Sequence, residues 1–309
     1  MQHKPQKVAL VIGGTNEHRS VGLDSKNLIL PILENLKYDT SFVDFDPRCF
    51  IDDMRRIEPD VVYNKLDGLY GQNGAVQGVL DLMKIPYTHS SLLSSSLAGN
   101  KYMAKKVFKG LNIAHPSGRI ISKTTKNKED ALLDYGIRKP YVIKPICGGC
   151  SIGIVLVENG NYTIEDYSFT ESSSVLVEEY IAGREFTVAI YNNRSIGMAE
   201  IFVQNKMFDT NEKYGSDTTD KYSYSPELAN SQKEEITKTA ENAHRAMGCD
   251  GITRVDIKMK DDKAYVLEVN INPGFTSHSL FPKIALKNGK SIEEIVNNMI
   301  VNAKYSAFV

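Results

Sequence analysis

The sequence predicts an α/β protein: an open parallel sheet in the first third, then helices mixed with antiparallel hairpins. Three observations carry this. Strand and helix signals alternate over residues 7–83, the βαβ pattern of parallel sheets. From residue 141 onward, β-rich runs come in pairs separated by a few turn residues, as hairpins do. At 309 residues the chain has room for about two domains of roughly 100–200 residues each.

The elements follow in order. KVALVIGG (7–14) is a buried strand running into a glycine turn. Helical periodicity covers 23–36, with Leu28, Ile32 and Leu36 on one face. TSFVDFD (40–46) and DVVYNKL (60–66) are the second and third strands, the latter β-branched and aromatic. The segment from Gly71 to Gly74 breaks the chain before the helix AVQGVLDLM (75–83). SSLLSSSLAG (90–99) is small and polar, a helix cap or hinge, and a helix over 101–109 stops at Gly110. YVIKPI (141–146) feeds the loop CGGCSIG, and GIVLVE resumes the strand pattern, giving a hairpin with a glycine-rich tip. VLVEEYI (175–181) ends at an Ala182-Gly183 turn. REFTVAIY and IGMAEIFV are strands joined at Asn192-Asn193. The polar stretch 206–230 has no sustained period and reads as a functional or disordered loop. A helix over 232–247 precedes the strands GITRVDIKM and AYVLEVNI, separated by 260–263. INPGFTSHSL is a loop, and a last helix covers 292–305. There is no internal repeat.

Composition narrows the function classes. Thirty-seven basic against 38 acidic residues leave a net charge of −1, which excludes a globally basic nucleic-acid binder. The richest aromatic stretch, 214–224, sets Asp217 and Asp220 beside its lysines, so no local basic stripe replaces the global one. The N-terminal apolar run, 8–12, is too short for a signal peptide. No stretch is long enough to cross a bilayer. A cytoplasmic chain with no membrane partner is expected. Four cysteines are too few for a disulfide scaffold. Cys147 and Cys150 form a CxxC, but a zinc or redox reading needs a second Cys/His pair, and Cys49 and Cys249 stand alone. The plainer reading is two small residues in a glycine-rich loop.

Three segments carry chemistry. In RVDI, alternation sets Arg254 and Asp256 on one strand face; in LEVN it does the same for Glu268 and Asn270. Two carboxylates and an amide suit a hard divalent cation that shares its oxygen ligands with phosphates. Charged residues on an exposed sheet face are the plain alternative, yet both strands are otherwise Ile/Val/Leu-rich and the second runs straight into NPG. Lys144, followed by CGGCSIG, can cover phosphates with backbone N–H groups and one charge, or simply end a strand in a turn. In VEEYIAGREF, Glu178 and Glu185 are either acceptors for an adenine amino group and ribose hydroxyls or two solvated surface glutamates.

In this order, these features resemble the ATP-grasp ligases, and within them the D-alanine–D-alanine ligases. The similarity spans essentially the whole chain. It is most specific in RVDI, LEVNINPGFTSHSLFPKIA and FDTNEKYGSD, which look like that family's metal strands, substrate loop and omega loop; NKLDGLYGQNGAVQGVLDLMKIPYT looks like its second N-terminal segment. The resemblance implies three α/β domains with ATP gripped between the last two. The N-terminal parallel-sheet domain takes 1–96, the central ATP-grasp domain 97–181 and the C-terminal one 182–309. It implies phosphate contacts from Lys101 and Lys144. Glu178, Tyr180 and Ile181 face the adenine, and Glu185 the ribose. Asp256, Glu268 and Asn270 hold two Mg²⁺ ions, with Mn²⁺ as a substitute. Arg254 stabilises the oxyanion of a tetrahedral intermediate. Ser279 and Leu280 hold the second substrate. Lys213 lies nearby and joins the charges facing the phosphates, and Tyr214 helps close the omega loop. The partners implied are small D-amino acids and, by likeness to the family, a second copy of the chain. A binding module without catalysis would have lost the metal residues or Arg254, and both are present.

The departures cluster on the first-substrate side. His18 stands where the family has a glutamate that pairs with the first D-alanine's ammonium, with Glu17 one residue early. Cys150 replaces a loop serine, Ser151 being retained. Asp67-Gly68 replaces His-Gly, Gln72-Asn73-Gly74 replaces Glu-Asp-Gly, and Asn100-Lys101 replaces Asp-Lys. The family's Glu–Ser–Tyr set thus becomes His18, Cys150 and Tyr214. A histidine cannot accept from an ammonium as a carboxylate does. Either Glu17 takes that role through a shifted loop, or Asp67 does, or the first substrate is not D-alanine; family drift with the activity kept is the bland alternative, and a weakened paralogue that still binds ATP is the remaining one.

Overall fold

The computed structural model describes residues 7–13, 19–149, 152–158, 160, 162–169, 172–202 and 221–306. The first third runs β1 (Lys7–Gly13), α1 (Arg19–Asn35), β2 (Asp39–Phe45), α2 (Phe50–Ile57), β3 (Val61–Asn64), α3 (Leu69–Gln72) and α4 (Ala75–Met83). Its strands form a parallel sheet in the order β2-β1-β3, as expected. A central parallel strand is covered on both faces and must be apolar throughout. Accordingly Val8, Leu10 and Ile12 pack with Ile29 and Leu33 of α1, while Ala9 and Val11 pack with Val43, Phe50 and Met54. The sequence pattern did not signal α2. Phe50, Met54 and Ile57 make its buried stripe, but the helix is only about two turns long, too short for the period to stand out.

The segment read as a cap or hinge is itself a helix, α5 (Leu92–Gly99), started by the Ser91 hydroxyl, which accepts from the Ser94 N–H. Helix α6 (Lys101–Gly110) follows, capped by Asn100, whose side chain accepts from the Met103 N–H at 3.0 Å. Then come β4 (Gly118–Ser122), α7 (Lys128–Asp134), β5 (Tyr141–Pro145), β6 (Val155–Val157) and β7 (Ser174–Glu179). They build an antiparallel sheet in the order β4-β7-β5-β6. The β5–β6 hairpin is the one anticipated; Cys150 and Ser151 lie outside the described residues.

The last part comprises β8 (Arg184–Tyr191), β9 (Arg194–Ile201), β10 (Tyr222–Ser223), α8 (Asn230–Ala246), β11 (Ile252–Lys260), β12 (Lys263–Asn270), α9 (Leu280–Lys287) and α10 (Ile292–Val301). The sheet order is β10-β9-β8-β11-β12, antiparallel throughout. Asn192 and Asn193 both take positive φ, 48° and 65°, the two-residue turn that matches strand twist. Asp261 and Asp262 do the same at the β11–β12 turn. Three expectations need correction. Strand β10 interrupts the stretch read as a structureless loop. Helix α9 was not signalled. The last helix ends at Val301, four residues short of the expected end.

Apolar clusters tie these parts together unequally. One joins β1 and α1 to the C-terminal elements through Leu10, Ile29, Ala189, Phe281 and Val296. The β4–β7 sheet instead has a cluster of its own, with Ile121, Leu132, Ile143 and Val177. Among the described residues, no helix is long and apolar enough to cross a membrane.

Candidate active site

The site grows from the β11–β12 hairpin. Alternation on β11 puts Arg254, Asp256 and Lys258 on one face. The register sets Arg254 opposite Asn270 and Asp256 opposite Glu268. A bulge follows, because Ile257 pairs with Val266 and leaves Leu267 as the extra residue of β12. On the other side of β11, strand β8 presents Thr187 to Asp256 and Glu185 to Lys258.

Asp256 is the hub. Its Oδ1 accepts from the Thr187 hydroxyl at 2.6 Å and from Arg254 Nε at 3.1 Å. Its Oδ2 accepts from an Arg254 terminal nitrogen and from Asn270 Nδ2, both at 3.0 Å. The guanidinium is thus held bidentately, the geometry that locks an arginine in one plane. Asn270 Nδ2 also lies 3.5 Å from Glu268 Oε1. The Lys101 ammonium lies 3.3 Å from Glu268 Oε2 and donates to the Gly148 carbonyl at 2.7 Å. That contact fastens the start of α6 to the glycine-rich loop after β5.

A second charged group sits across the cleft. Glu178, 1% exposed, lies between Lys105, at 2.7 Å, and Lys144, which is in direct contact. Burial favours the neutral form of Glu178, but the two lysines outweigh it and hold its carboxyl below the usual range. For Lys105 burial wins against Glu178, and its ammonium titrates below the usual lysine range. Glu185, 9% exposed, pairs with Lys258 at 2.9 Å. The reading of Glu178 and Glu185 as solvated surface glutamates is therefore overturned. Both belong to a buried wall.

These groups line a cleft between the β4–β7 sheet and the β8–β12 sheet. Of the residues singled out in the sequence, Lys101, Lys144, Glu178, Tyr180, Ile181, Glu185, Arg254, Asp256, Glu268 and Leu280 line it. Val142, Ile154, Ile201 and Leu267 add apolar wall. Asn270 joins through Asp256. Ser279 stands at the N-terminus of α9, where its hydroxyl accepts from the Thr276 N–H at 3.0 Å. Asp67 is not among these lining residues; it lies just beyond β3, beside Gly22 of α1. Glu17, His18, Cys150, Ser151, Lys213 and Tyr214 lie outside the described residues.

At Asp67, Oδ1 accepts from the Lys65 ammonium at 2.6 Å, and Lys65 is fully buried. Among the described residues Oδ2 is buried without a hydrogen-bond partner, close to where a side chain at Gly22 of α1 would begin. His89 is buried nearby at φ 71°. Desolvation, aided by the Lys65 charge, lowers its pKa to about 3.

Sequence reasoning missed Lys105, Thr187 and Lys258. Lys105 sits one helical turn beyond Lys101 on the same face. Lys258 continues the period of two from Arg254 and Asp256. Both signals were present but lay outside any motif. Thr187 is visible only through strand register.

Known proteins resemble this chain along most of its length. The family model described as D-ala D-ala ligase C-terminus matches residues 107–301. A D-alanine–D-alanine ligase of Rickettsia massiliae is 34% identical over 304 residues, covering 97% of this chain and 92% of that protein. One from Paramagnetospirillum magneticum is 34% identical over 308 residues, covering 97% and 99%. The solved structure of a D-alanine–D-alanine ligase from Bacillus anthracis complexed with ATP superposes with a TM-score of 0.81 at 28% identity, covering 96% of each chain. With the matched model spanning more than half of the chain and relatives this similar along its length, the chain belongs to the D-alanine–D-alanine ligase family.

Proposed function

We propose that this chain is an ATP-dependent ligase that joins two D-alanines through an acyl phosphate, for peptidoglycan precursor synthesis in the cytoplasm. The observation that carries the reading is the shared face of Arg254, Asp256, Glu268 and Asn270 at the end of a cleft whose lysines, Lys101 and Lys144, suit phosphates. The apolar wall with Tyr180, Ile181 and Glu178 takes the adenine, and Glu185 the ribose. Three units dividing near residues 96 and 181 accord with one sheet in each, and a homodimer is proposed by likeness to the family.

The donor set fits magnesium. Asp256, Glu268 and Asn270 offer hard oxygens, and no group of three His, Cys, Asp or Glu side chains converges among the described residues. Two carboxylates and an amide leave coordination positions for phosphate oxygens and water, which Mg²⁺ favours. When bound, two such ions, or Mn²⁺ in their place, neutralise phosphate charge.

The chain's own residues do the rest. A carboxylate is a poor electrophile until activated. The first substrate's carboxylate attacks the γ-phosphorus, the bond to the β-phosphate oxygen breaks, and ADP leaves. Lys101 and Lys144 meet the charge on the transferring group. The second substrate's amine, seated by Ser279 and Leu280, then attacks the acyl carbon. Arg254, fixed in plane by Asp256, meets the oxyanion, and phosphate departs as the amide forms. Lys213 adds charge, and Tyr214 helps exclude water that would hydrolyse the acyl phosphate. On the first-substrate side, Asp67 Oδ2 is the acceptor we assign to the ammonium, with Glu17, His18, Cys150 and Ser151 completing that corner. The Lys65–Asp67 pair also favours a second reading, a ligase whose first substrate is not D-alanine.

Phosphate release measured across D-amino acids, L-amino acids and hydroxy acids separates these readings. D-alanine-dependent release with D-alanyl-D-alanine as product is expected. Silence with D-alanine and release with another carboxylate selects the second reading. Silence with all of them removes both.

A further inference from the structure

The base-and-ribose end of the cleft holds an ion pair that the roles above leave unused. Lys258 lies two residues beyond Asp256 on the same face of β11, opposite Glu185 on β8. Its ammonium is 2.9 Å from Glu185 Oε2 and 3.4 Å from the Gly183 carbonyl. Lys258 is 6% and Glu185 9% exposed, yet both line the cleft. The approach of β8 to β11 here leaves no room for a side chain at Gly183, whose Cβ would lie 2.0 Å from the Met259 carbonyl oxygen. A lysine in a wall shared with Ile181, Ile201 and Leu267 gains nothing from apolar packing at its charged end, and burying that charge is costly without a partner.

We propose that Lys258 is a positioning residue for ribose recognition: its ammonium, 2.9 Å from Glu185 Oε2, aims that carboxylate at the sugar hydroxyls. This rests on the reading that Glu185 faces the ribose. An ionised carboxylate only accepts hydrogen bonds and therefore suits a hydroxyl donor; a protonated one presents a competing O–H. Without the Lys258 ammonium, the Glu185 carboxylate loses a partner that fixes its direction. The ligand class selected is a ribonucleotide over its deoxy analogues, because a site built around a hydroxyl rejects the analogue lacking it.

The test uses the full chain, with steady-state ligation measured on ATP, 2′-deoxy-ATP and 3′-deoxy-ATP. Lys258→Met is expected to raise the KM for ATP roughly tenfold, the effect of one lost hydrogen bond, with a smaller change in kcat. It should also collapse the preference for ATP over the deoxy analogues, and Lys258→Arg should restore that preference. Glu185→Gln is expected to abolish the preference by itself. If Glu185→Gln keeps it, the ribose reading of Glu185 fails. If Glu185→Gln loses it while Lys258→Met keeps the wild-type preference, the role of Lys258 is overturned and the ribose reading stands. Should Lys258→Met not fold, Lys258→Leu also removes the donor; wild-type discrimination in that variant equally overturns the proposal.

Discussion

Arg254 and Asp256 show how much one residue's placement depends on its neighbours. The guanidinium is held by two hydrogen bonds to a carboxylate that Thr187 and Asn270 also hold. Arg254→Ala should lower the ligation rate by about 10²–10³, the usual loss for one oxyanion donor, while the KM for ATP changes by less than about threefold. Product formation and ATP titration read the two effects separately. At the other corner, Asp67→Ala strands the fully buried Lys65 ammonium. The expected cost is about 3–5 kcal/mol, seen as a fall in the urea midpoint; the double variant Lys65→Met, Asp67→Leu should recover most of it. Strand alternation makes Arg254, Asp256, Glu268 and Asn270 legible in the sequence, because period two is a local property. Thr187 is not, since its contact with Asp256 spans 69 residues of sequence. Nor does any pattern foretell that Lys144 and Glu178 meet directly: the sequence offers them separate roles, one for phosphate and one for adenine.

Among the elements, α6 shows a cap serving a site. Asn100 accepts from the Met103 N–H at 3.0 Å, and the next residue is Lys101. Asn100→Ala should cost about 1 kcal/mol of stability, as N-cap losses do, and raise the KM for ATP by freeing the first turn that holds Lys101. Asn100→Asp should preserve both, which thermal unfolding and ATP kinetics will check. Elements with a long period or a clear turn are readable: α4, α6, the β8–β9 hairpin and the β11–β12 hairpin all fall where the pattern places them. Helices α2 and α9 are not, for a shared reason. Each is eight residues long, about two turns, and tertiary packing rather than sequence period supports helices that short. The serine-rich α5 escapes a local reading because serine favours caps as well as turns. Burial of Ser94, Ser95 and Ala98 outweighs that local preference.

For the molecule as a whole, two buried histidines set the acid limit of stability. His89 is lowered to about 3 and His244 to about 4, burial being the main cause in each. A histidine kept neutral by the fold stabilises fully above the unfolded pKa of about 6.5 and loses that contribution as pH falls toward the folded value. Each should cost about 1.4 kcal/mol per pH unit below pH 6. Urea midpoints from pH 7 to pH 5 should fall steadily, and His89→Asn, which tolerates the left-handed backbone, should remove one proton's share of that slope. The fold class is legible at this scale through the βαβ alternation and the later hairpins. The division of the core is not, because clusters that join residues 8–33 with residues 189–300 leave no trace in local period. That division bears on how such a protein can be recombined. Tyr38 donates to Asn297 at 2.8 Å and the Ser306 N–H donates to Asp81 at 2.7 Å, so the segments that flank the first and last sheets share hydrogen bonds as well as apolar side chains. The β4–β7 sheet keeps its interior to itself. In a chimera with a relative, the middle sheet can be exchanged as a cassette, whereas the outer two must be inherited together, since either alone carries half of a common interior.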